Sequence, residues 1–288
     1  MNLKDLIQEA ESKKVAIGHF NVSDIAALNA VFKAAHELKL PVIIGVSEGE
    51  RDFIGVKQVA ALVESLRDEY NFPIFLNADH TRSFEAVKAA IQAGFDAVIF
   101  DAANLPLEEN IQQTKGVVDY VKSVNPDILV EGELGYIGTS SKLLDSIPEG
   151  AAIEEKDLTK PKDAKLFVQE TGVDLLAPAI GNIHGILRDT TNPNLNIKKI
   201  KEIKKTVGVP LVLHGGSGIK EEELRAAIEA GISIIHINTE IRLAWRKGLE
   251  RAFSDKPEEI TPYKLLPAAE DAVYEVAKQR LKLFNKML

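Results

Sequence analysis

The sequence predicts a single-domain (β/α)8 barrel on three observations: eight short apolar runs, helical periodicity after the runs, and polar residues gathered at their C-terminal ends. The runs are AIGHF from Ala16, PVIIGV from Pro41, PIFLNA from Pro73, FDAVIF from Phe95, DILVEGE from Asp127, VDLLAPAI from Val173, VPLVLH from Val209 and GISIIHI from Gly231. Near-continuous apolar runs suit parallel strands covered on both faces, whereas a half-exposed antiparallel sheet alternates. Between them, Ile25, Leu28, Val31, Phe32, Ala35 and Leu38 make one helical face after a Ser23-Asp24 start. Ser83 opens a second helix that closes at Gly94, and Leu224, Ala227 and Ile228 lead to Gly231. An open doubly wound sheet would carry a Gly-rich turn after its first strand, but Phe20 runs into Asn21-Val22-Ser23. Right-handed crossovers leave few arrangements for this alternation besides the closed barrel, with the open sheet as the runner-up. One domain is expected over residues 1–288, ending in an amphipathic helical segment from about residue 267 to 288.

Composition narrows the function classes. The 288 residues, 45% hydrophobic, supply one large core, and acids and bases are mixed along a chain of net charge -8. No clustered basic face suggests nucleic acid, and an anionic substrate would need local positive partners. Without cysteine, any metal must sit on His, carboxylate, carbonyl or water. The opening MNLKDLIQEAESKK lacks an apolar signal core, and no run approaches the ~18 apolar residues of a membrane span. A soluble, cytoplasmic protein without a membrane partner is expected.

Barrel active sites collect at the C-terminal ends of the strands, so the residues there are the candidates. The third run ends in Asp79-His80, the fourth in Asp101, and the fifth carries Glu131 and Glu133. The sixth leads through Gly181-Asn182 to His184, the seventh ends in His214 before Gly215-Gly216-Ser217-Gly218, and the eighth gives His236, Asn238 and Thr239. Four strand-end histidines with carboxylates beside them point to a divalent metal; three imidazoles and an open position suit zinc, with Co or Mn as alternatives. His36 is read as helix packing, and His19, near the first strand's end, as packing rather than ligation. The glycine-rich turn after the seventh strand, with Asn238-Thr239 after the eighth, falls where barrels commonly bind phosphate, and Arg188 and Arg242 are available as cationic contacts. Two long connections, Leu134 to Thr171 and GILRDTTNPNLN after His184, read as binding loops.

These motifs together resemble the class II fructose-bisphosphate and tagatose-bisphosphate aldolases over nearly the whole chain. FNV at Phe20, PVIIGVSEG at Pro41, DH at Asp79, GFDAVIFDA at Gly94, EGELGYIG at Glu131, APAIGNIHG at Ala177, LVLHGGSG at Leu211 and INTEIR at Ile237 follow the family in order. The resemblance implies zinc on His80, His184 and His214, with Glu133 beside or alternately on the metal, and Asp79 as the acid/base for the substrate's C4 hydroxyl. It implies substrate and phosphate contacts at Asn21, Ser47, Gly185, Gly215, Ser217 and Thr239, with Arg188 where the family often has Lys. His236 and Asn238 are expected beside them, and Asp101 and Glu131 behind the ligands. A monovalent cation, a sugar-phosphate substrate and a homodimer or homotetramer are also implied.

Three positions depart from the pattern. The loop after the fifth strand reads GTSSK where the family has an acidic GGEED-like segment; Glu149, Glu154 and Glu155 are the loop acids available to replace its glutamate. His236 stands for an Asn that contacts the triose phosphate, and Ile234 for a Lys. Such changes can redirect a site to another sugar phosphate. A Schiff-base aldolase would need a lysine at an inner strand end, which no run offers, and a metal hydrolase on this fold would carry HxH on its first strand. A sugar-phosphate binder that has lost catalysis is the rival of a different class.

Overall fold

The computed structural model describes residues 2–139 and 141–288; Met1 and Ser140, the latter in the GTSSK segment, lie outside the described residues. Each predicted run overlaps one barrel strand, with β1, β3 and β5 reaching one to three residues past their runs: β1 (Ile17–Asn21), β2 (Val42–Val46), β3 (Ile74–Thr81), β4 (Ala97–Phe100), β5 (Leu129–Leu134), β7 (Leu175–Pro178), β9 (Leu211–Leu213) and β10 (Ile232–Ile237). They pair in parallel and close, β1 against β10. The two remaining strands, β6 (Leu143–Leu144) and β8 (Ile186–Leu187), make a small parallel sheet joining the two long loops.

Because side chains alternate along a strand, each run feeds two cores. Phe20, Ile44, Leu76, Val98, Val130 and Ile235 belong to the large cluster shared with the surrounding helices. Ile17, Ile43, Phe75, Ala97, Leu129, Leu175, Val212 and Ile234, one from each strand, form the inner cluster at the N-terminal end of the barrel. Helix α1 (Leu3–Lys13) plugs that end with Leu3, Leu6, Ile7 and Ala10. The first segment, read for its lack of a signal core, is therefore a structural element.

Helix ends follow local chemistry. The Asp24 side chain caps α2 (Ile25–Leu38) by accepting from Ala27 N at 2.8 Å, and Ser83 caps α5 (Phe84–Gln92) through Ala86 N at 3.2 Å. Helices α3 (Glu48–Ile54) and α4 (Val56–Tyr70) follow β2, and α6 (Leu107–Val124), α7 (Pro161–Thr171), α8 (Ile197–Val207) and α9 (Glu221–Ala230) continue the outer ring. Helix α10 (Thr239–Asp255) begins immediately after β10. The last helix, α11 (Pro262–Phe284), starts five residues before Pro267 and takes that proline in, packing on α2 and α10.

Candidate metal centre and substrate cleft

Two interior layers above the apolar plug are polar, and alternation explains most of the placement. On β5, Leu129 points into the plug, so Glu131 and Glu133 also point inward. On β1 the same rule sends His19 and Asn21 inward above Ile17. Strand β3 breaks the rule. Its register against β4 shifts between Ala78 and Thr81, and His80 adopts the left-handed conformation with φ 42°. The bulge turns two successive residues, Asp79 and His80, towards the barrel axis.

The His80, His184 and His214 rings form a triangle, with centroid separations of 4.7 Å, 5.0 Å and 5.8 Å. Each offers a nitrogen to one small volume. Among the described residues, His184 Nε2 and His214 Nδ1 are buried without a hydrogen-bond partner, as is Glu133 Oε2. The opposite edges of two rings are held by carboxylates: Asp101 Oδ2 lies 3.0 Å from His80 Nδ1, and Glu131 Oε1 lies 2.7 Å from His214 Nε2. This arrangement fits a divalent ion, because carboxylate-supported imidazoles keep their inner nitrogens available to a metal. Asn182 fixes the His184 loop to β9 by donating to the His214 carbonyl at 2.9 Å.

Charge is distributed unevenly. Against burial, which would lower it, Asp79, Asp101 and Glu133 raise His80 to about 9. Burial likewise opposes, and Glu131 and Glu133 outweigh it, for His214, which is raised well above the ordinary histidine value. Burial lowers His184, with the cationic neighbours His80 and His214 adding to the shift. Burial raises Asp79, but His80, His236 and His19 outweigh it and hold the carboxyl well below its usual range. Asp101 is lowered too, burial being overcome by His80 and Arg82, while burial raises Glu131.

Asp79 accepts from Asn21 Nδ2 at 2.8 Å through Oδ2, while its buried Oδ1 has no hydrogen-bond partner among the described residues. That oxygen lies 3.8 Å from His80 Nε2 and 3.6 Å from His236 Nδ1. His236 is stacked between His214, at 4.3 Å, and His19, at 3.5 Å and 5° between planes. The ring of His19 occupies space left by Gly45: a Cβ there would come within 2.5 Å of His19 Nε2. Burial lowers His19 to about 4.

The cleft above these groups has two arms. One is walled by Asn21, His184, Gly185, Gly215, Ser217 and Thr239, with His236 and Asn238 at its side. Ser217 Oγ accepts from the Asn238 and Glu240 backbone N–H groups at 3.2 Å and 3.3 Å, joining the glycine-rich turn to the start of α10. Arg280 of α11 holds Glu240 through two bonds of 2.7 Å, so the C-terminal helix supports this wall. Gly215, at φ 62°, passes so close to the Ile183 carbonyl that a side chain would collide with it. The other arm, about 160 Å³, runs past Ser47, Glu48, Arg82, Thr139, Ser141 and Arg242.

Other candidates lie elsewhere. Arg188 is half-exposed and pairs with Asp145 at 2.9 Å, outside both arms. Glu154 pairs with Lys156 and Glu155 with Lys199, both at 2.9 Å, and Glu149 is exposed; none of the three lines the cleft. His36 packs against Phe32, Tyr70 and Phe72. Beyond the candidates named from the sequence, Glu48, Thr139 and Ser141 line the cleft, as does Arg82, which lies 3.3 Å from Asp101. Glu50 and Arg51, unmarked in the sequence, have buried charges. For Arg82 the signal was available, since it follows the DH pair by two residues at a strand end.

A closed barrel whose C-terminal mouth gathers three imidazoles, a buried aspartate and a glycine-rich turn has the make-up of a (β/α)8 enzyme with a candidate metal site in its cleft. The family described as class-II fructose-bisphosphate aldolase matches residues 1–287. The chain is 37% identical to a probable fructose-bisphosphate aldolase of Bacillus subtilis (strain 168) over 288 residues, 99% of this chain and 97% of the relative. It is 36% identical to the fructose-bisphosphate aldolase of Geobacillus stearothermophilus, covering 99% and 96%. The crystal structure of the YdjI aldolase from Escherichia coli K12 superposes with a TM-score of 0.83 at 33% identity, covering 98% and 96%. This chain belongs to the class II fructose-bisphosphate aldolase family and is a carbon–carbon lyase. Enzymes of this family depend on a divalent metal.

Proposed function

We propose that the protein catalyses reversible aldol cleavage of a ketose bisphosphate, fructose 1,6-bisphosphate or tagatose 1,6-bisphosphate, to dihydroxyacetone phosphate and an aldehyde phosphate. The observation that carries the reading is the convergence of unpartnered imidazole nitrogens beside a buried aspartate with one uncommitted oxygen. His80, His184 and His214 would hold Zn2+, their nitrogen donors suiting that borderline ion, with Glu133 beside it. When bound, the ion supplies Lewis-acid stabilisation of the charge that builds beside the carbonyl as the carbon–carbon bond breaks.

The chain's own groups do the rest. Asp79 Oδ1 takes the proton of the hydroxyl that becomes the aldehyde and returns it in the condensation direction. Asn21 holds the other carboxylate oxygen. The turn from Gly215, with Ser217 and Thr239, receives the triose phosphate, whose negative charge suits the N-terminal end of α10. Ser47 and Arg242 face the second arm and would contact the aldehyde half. His236 takes the side of the triose, and Gly185 lets its backbone approach closely. Asp101 and Glu131 hold ligand rings from behind. The exposed position of Arg188 suits an outer contact made only if its loop closes.

The proposal extends to a monovalent cation near the phosphate, where buried Asn238 Oδ1 lacks a partner, and to a homodimer or homotetramer covering exposed Phe53, Ile260 and Tyr263. Replacing Na+ and K+ with a tetraalkylammonium salt checks the first, and light scattering the second. No described helix is long and apolar enough to cross a membrane. The main test is triose phosphate release from ketose bisphosphates by metal-loaded protein, with and without chelator. Chelator-sensitive cleavage is expected; chelator-resistant cleavage, or none from any ketose bisphosphate, refutes the reading.

A further inference from the structure

Glu50, in the first turn of α3, and its neighbour Arg51, in the last turn of this short helix, are 6% and 3% exposed, and the charges of both are withdrawn from water. Burying a full charge costs several kcal/mol unless it is fully hydrogen-bonded, so such a pair calls for a local reason. The two side chains do not satisfy one another. They reach, by separate routes, the same residue, Asp79.

Arg51 works on the backbone. Its Nη1 donates to the Val46 carbonyl at 2.6 Å and to the Asp79 carbonyl at 3.2 Å, and its Nη2 donates to Thr81 Oγ1 at 3.0 Å. The guanidinium therefore spans the end of β2 and both sides of the β3 bulge. A bulge leaves peptide groups outside the ladder, and a planar fork of donors can satisfy and fix them. This bulge is the feature that turns Asp79 and His80 inward together.

Glu50 works on the side chain. Its Oε2 accepts from Ser47 N at 2.7 Å and Asn21 Nδ2 at 2.9 Å, and its Oε1 accepts from Arg242 Nη2 at 2.7 Å. Asn21 Nδ2 also donates to Asp79 Oδ2 at 2.8 Å, so one amide bridges two carboxylates. That double contact sets the amide's orientation and occupies Oδ2, leaving Oδ1 as the oxygen without a partner.

We infer that Glu50 and Arg51 are positioning residues: Arg51 fixes the bulge that presents Asp79 and His80, and Glu50, through Asn21, determines which oxygen of Asp79 faces the substrate. The Glu50 half rests on the reading of Asp79 as the acid/base. The Arg51 half also concerns metal binding and is measurable without turnover.

The test compares E50A, E50Q, R51M and R51K for Co2+ affinity by chelator competition, kcat and KM on fructose 1,6-bisphosphate, and melting temperature. E50A is expected to lose about 10- to 100-fold in kcat, the size of a lost supporting contact, with Co2+ affinity within about 3-fold; a rise in KM reports the Arg242 contact that Glu50 also holds. E50Q keeps an acceptor for Asn21 and is expected to recover most of that kcat. R51M is expected to lose about 10-fold or more in Co2+ affinity, with R51K intermediate; should R51M fail to fold, R51K carries this arm alone. Lower melting temperatures with unchanged kcat in E50A and unchanged Co2+ affinity in both Arg51 variants would overturn the inference, leaving these residues as anchors of α3. If the wild type binds Co2+ but cleaves no ketose bisphosphate, the proposed function fails along with the Glu50 half, and the Arg51 variants still decide theirs.

Discussion

Replacing Gly45 with alanine should disturb the metal centre although Gly45 touches no metal ligand. An added Cβ would fall closest to His19 Cε1, inside the 2.5 Å at which it meets Nε2, against an ordinary separation of about 3.5 to 4 Å. The His19 ring must therefore move by about 1.5 Å. It cannot do so freely, because it lies flat on His236 at 3.5 Å, and His236 lies 4.3 Å from His214. Overpacking of this kind costs about 1 to 3 kcal/mol. Urea unfolding of metal-free protein reads that cost, and chelator competition with Co2+ reads the displacement of His214. If the stack transmits the strain, H19A in the G45A background restores both, a coupling visible in a double-mutant cycle. Wild-type stability and Co2+ affinity in G45A, or strict additivity with H19A, would refute the reasoning.

Other predictions concern separate parts of the structure. E131Q removes the carboxylate behind His214 and should weaken metal binding about 10- to 100-fold, measured by the same competition. S217A leaves the Asn238 and Glu240 N–H groups without their hydroxyl and should raise KM and weaken inhibition by inorganic phosphate; unchanged phosphate inhibition would remove Ser217 from the cradle. I7A opens a cavity where α1 plugs the barrel and should cost about 2 to 5 kcal/mol, read from urea midpoints. His19 is lowered from 6.5 to about 4 by burial, so the folded protein keeps it neutral where the unfolded chain would protonate it. Its contribution is present above about pH 6.5 and lost as pH falls towards 4, up to about 3 kcal/mol. H19N should flatten the pH dependence of the urea midpoint in that window, and an equally steep profile would contradict the assignment.

The barrel was legible because each strand carries its own apolar run and each interior position recurs at every second residue. That rule also leads from Leu129 to Glu131 and Glu133, and from Ile17 to His19 and Asn21. It fails at β3, where strict alternation would send Asp79 and His80 to opposite faces; the positive φ of His80 that unites them has no period to reveal it. Glu50 and Arg51 carry no signal in the sequence because charged residues of a short helix ordinarily face water, and their burial follows from where α3 lands on β3. The small sheet of β6 and β8 was equally hidden, since two-residue strands carry no pattern. Arg188 illustrates the converse: its place in the sequence suggested an anion contact, while the fold turns it towards Asp145.

The central claim is that a divalent ion on His80, His184 and His214 is required for aldol cleavage with Asp79 as proton carrier. Adding Zn2+ stepwise to chelator-stripped protein while following triose phosphate release from fructose 1,6-bisphosphate tests it most directly. The account predicts activity rising from none to a plateau at one ion per chain, with H184A never reaching it and D79N binding the ion without turnover. Full activity in stripped protein, or in D79N, would contradict it.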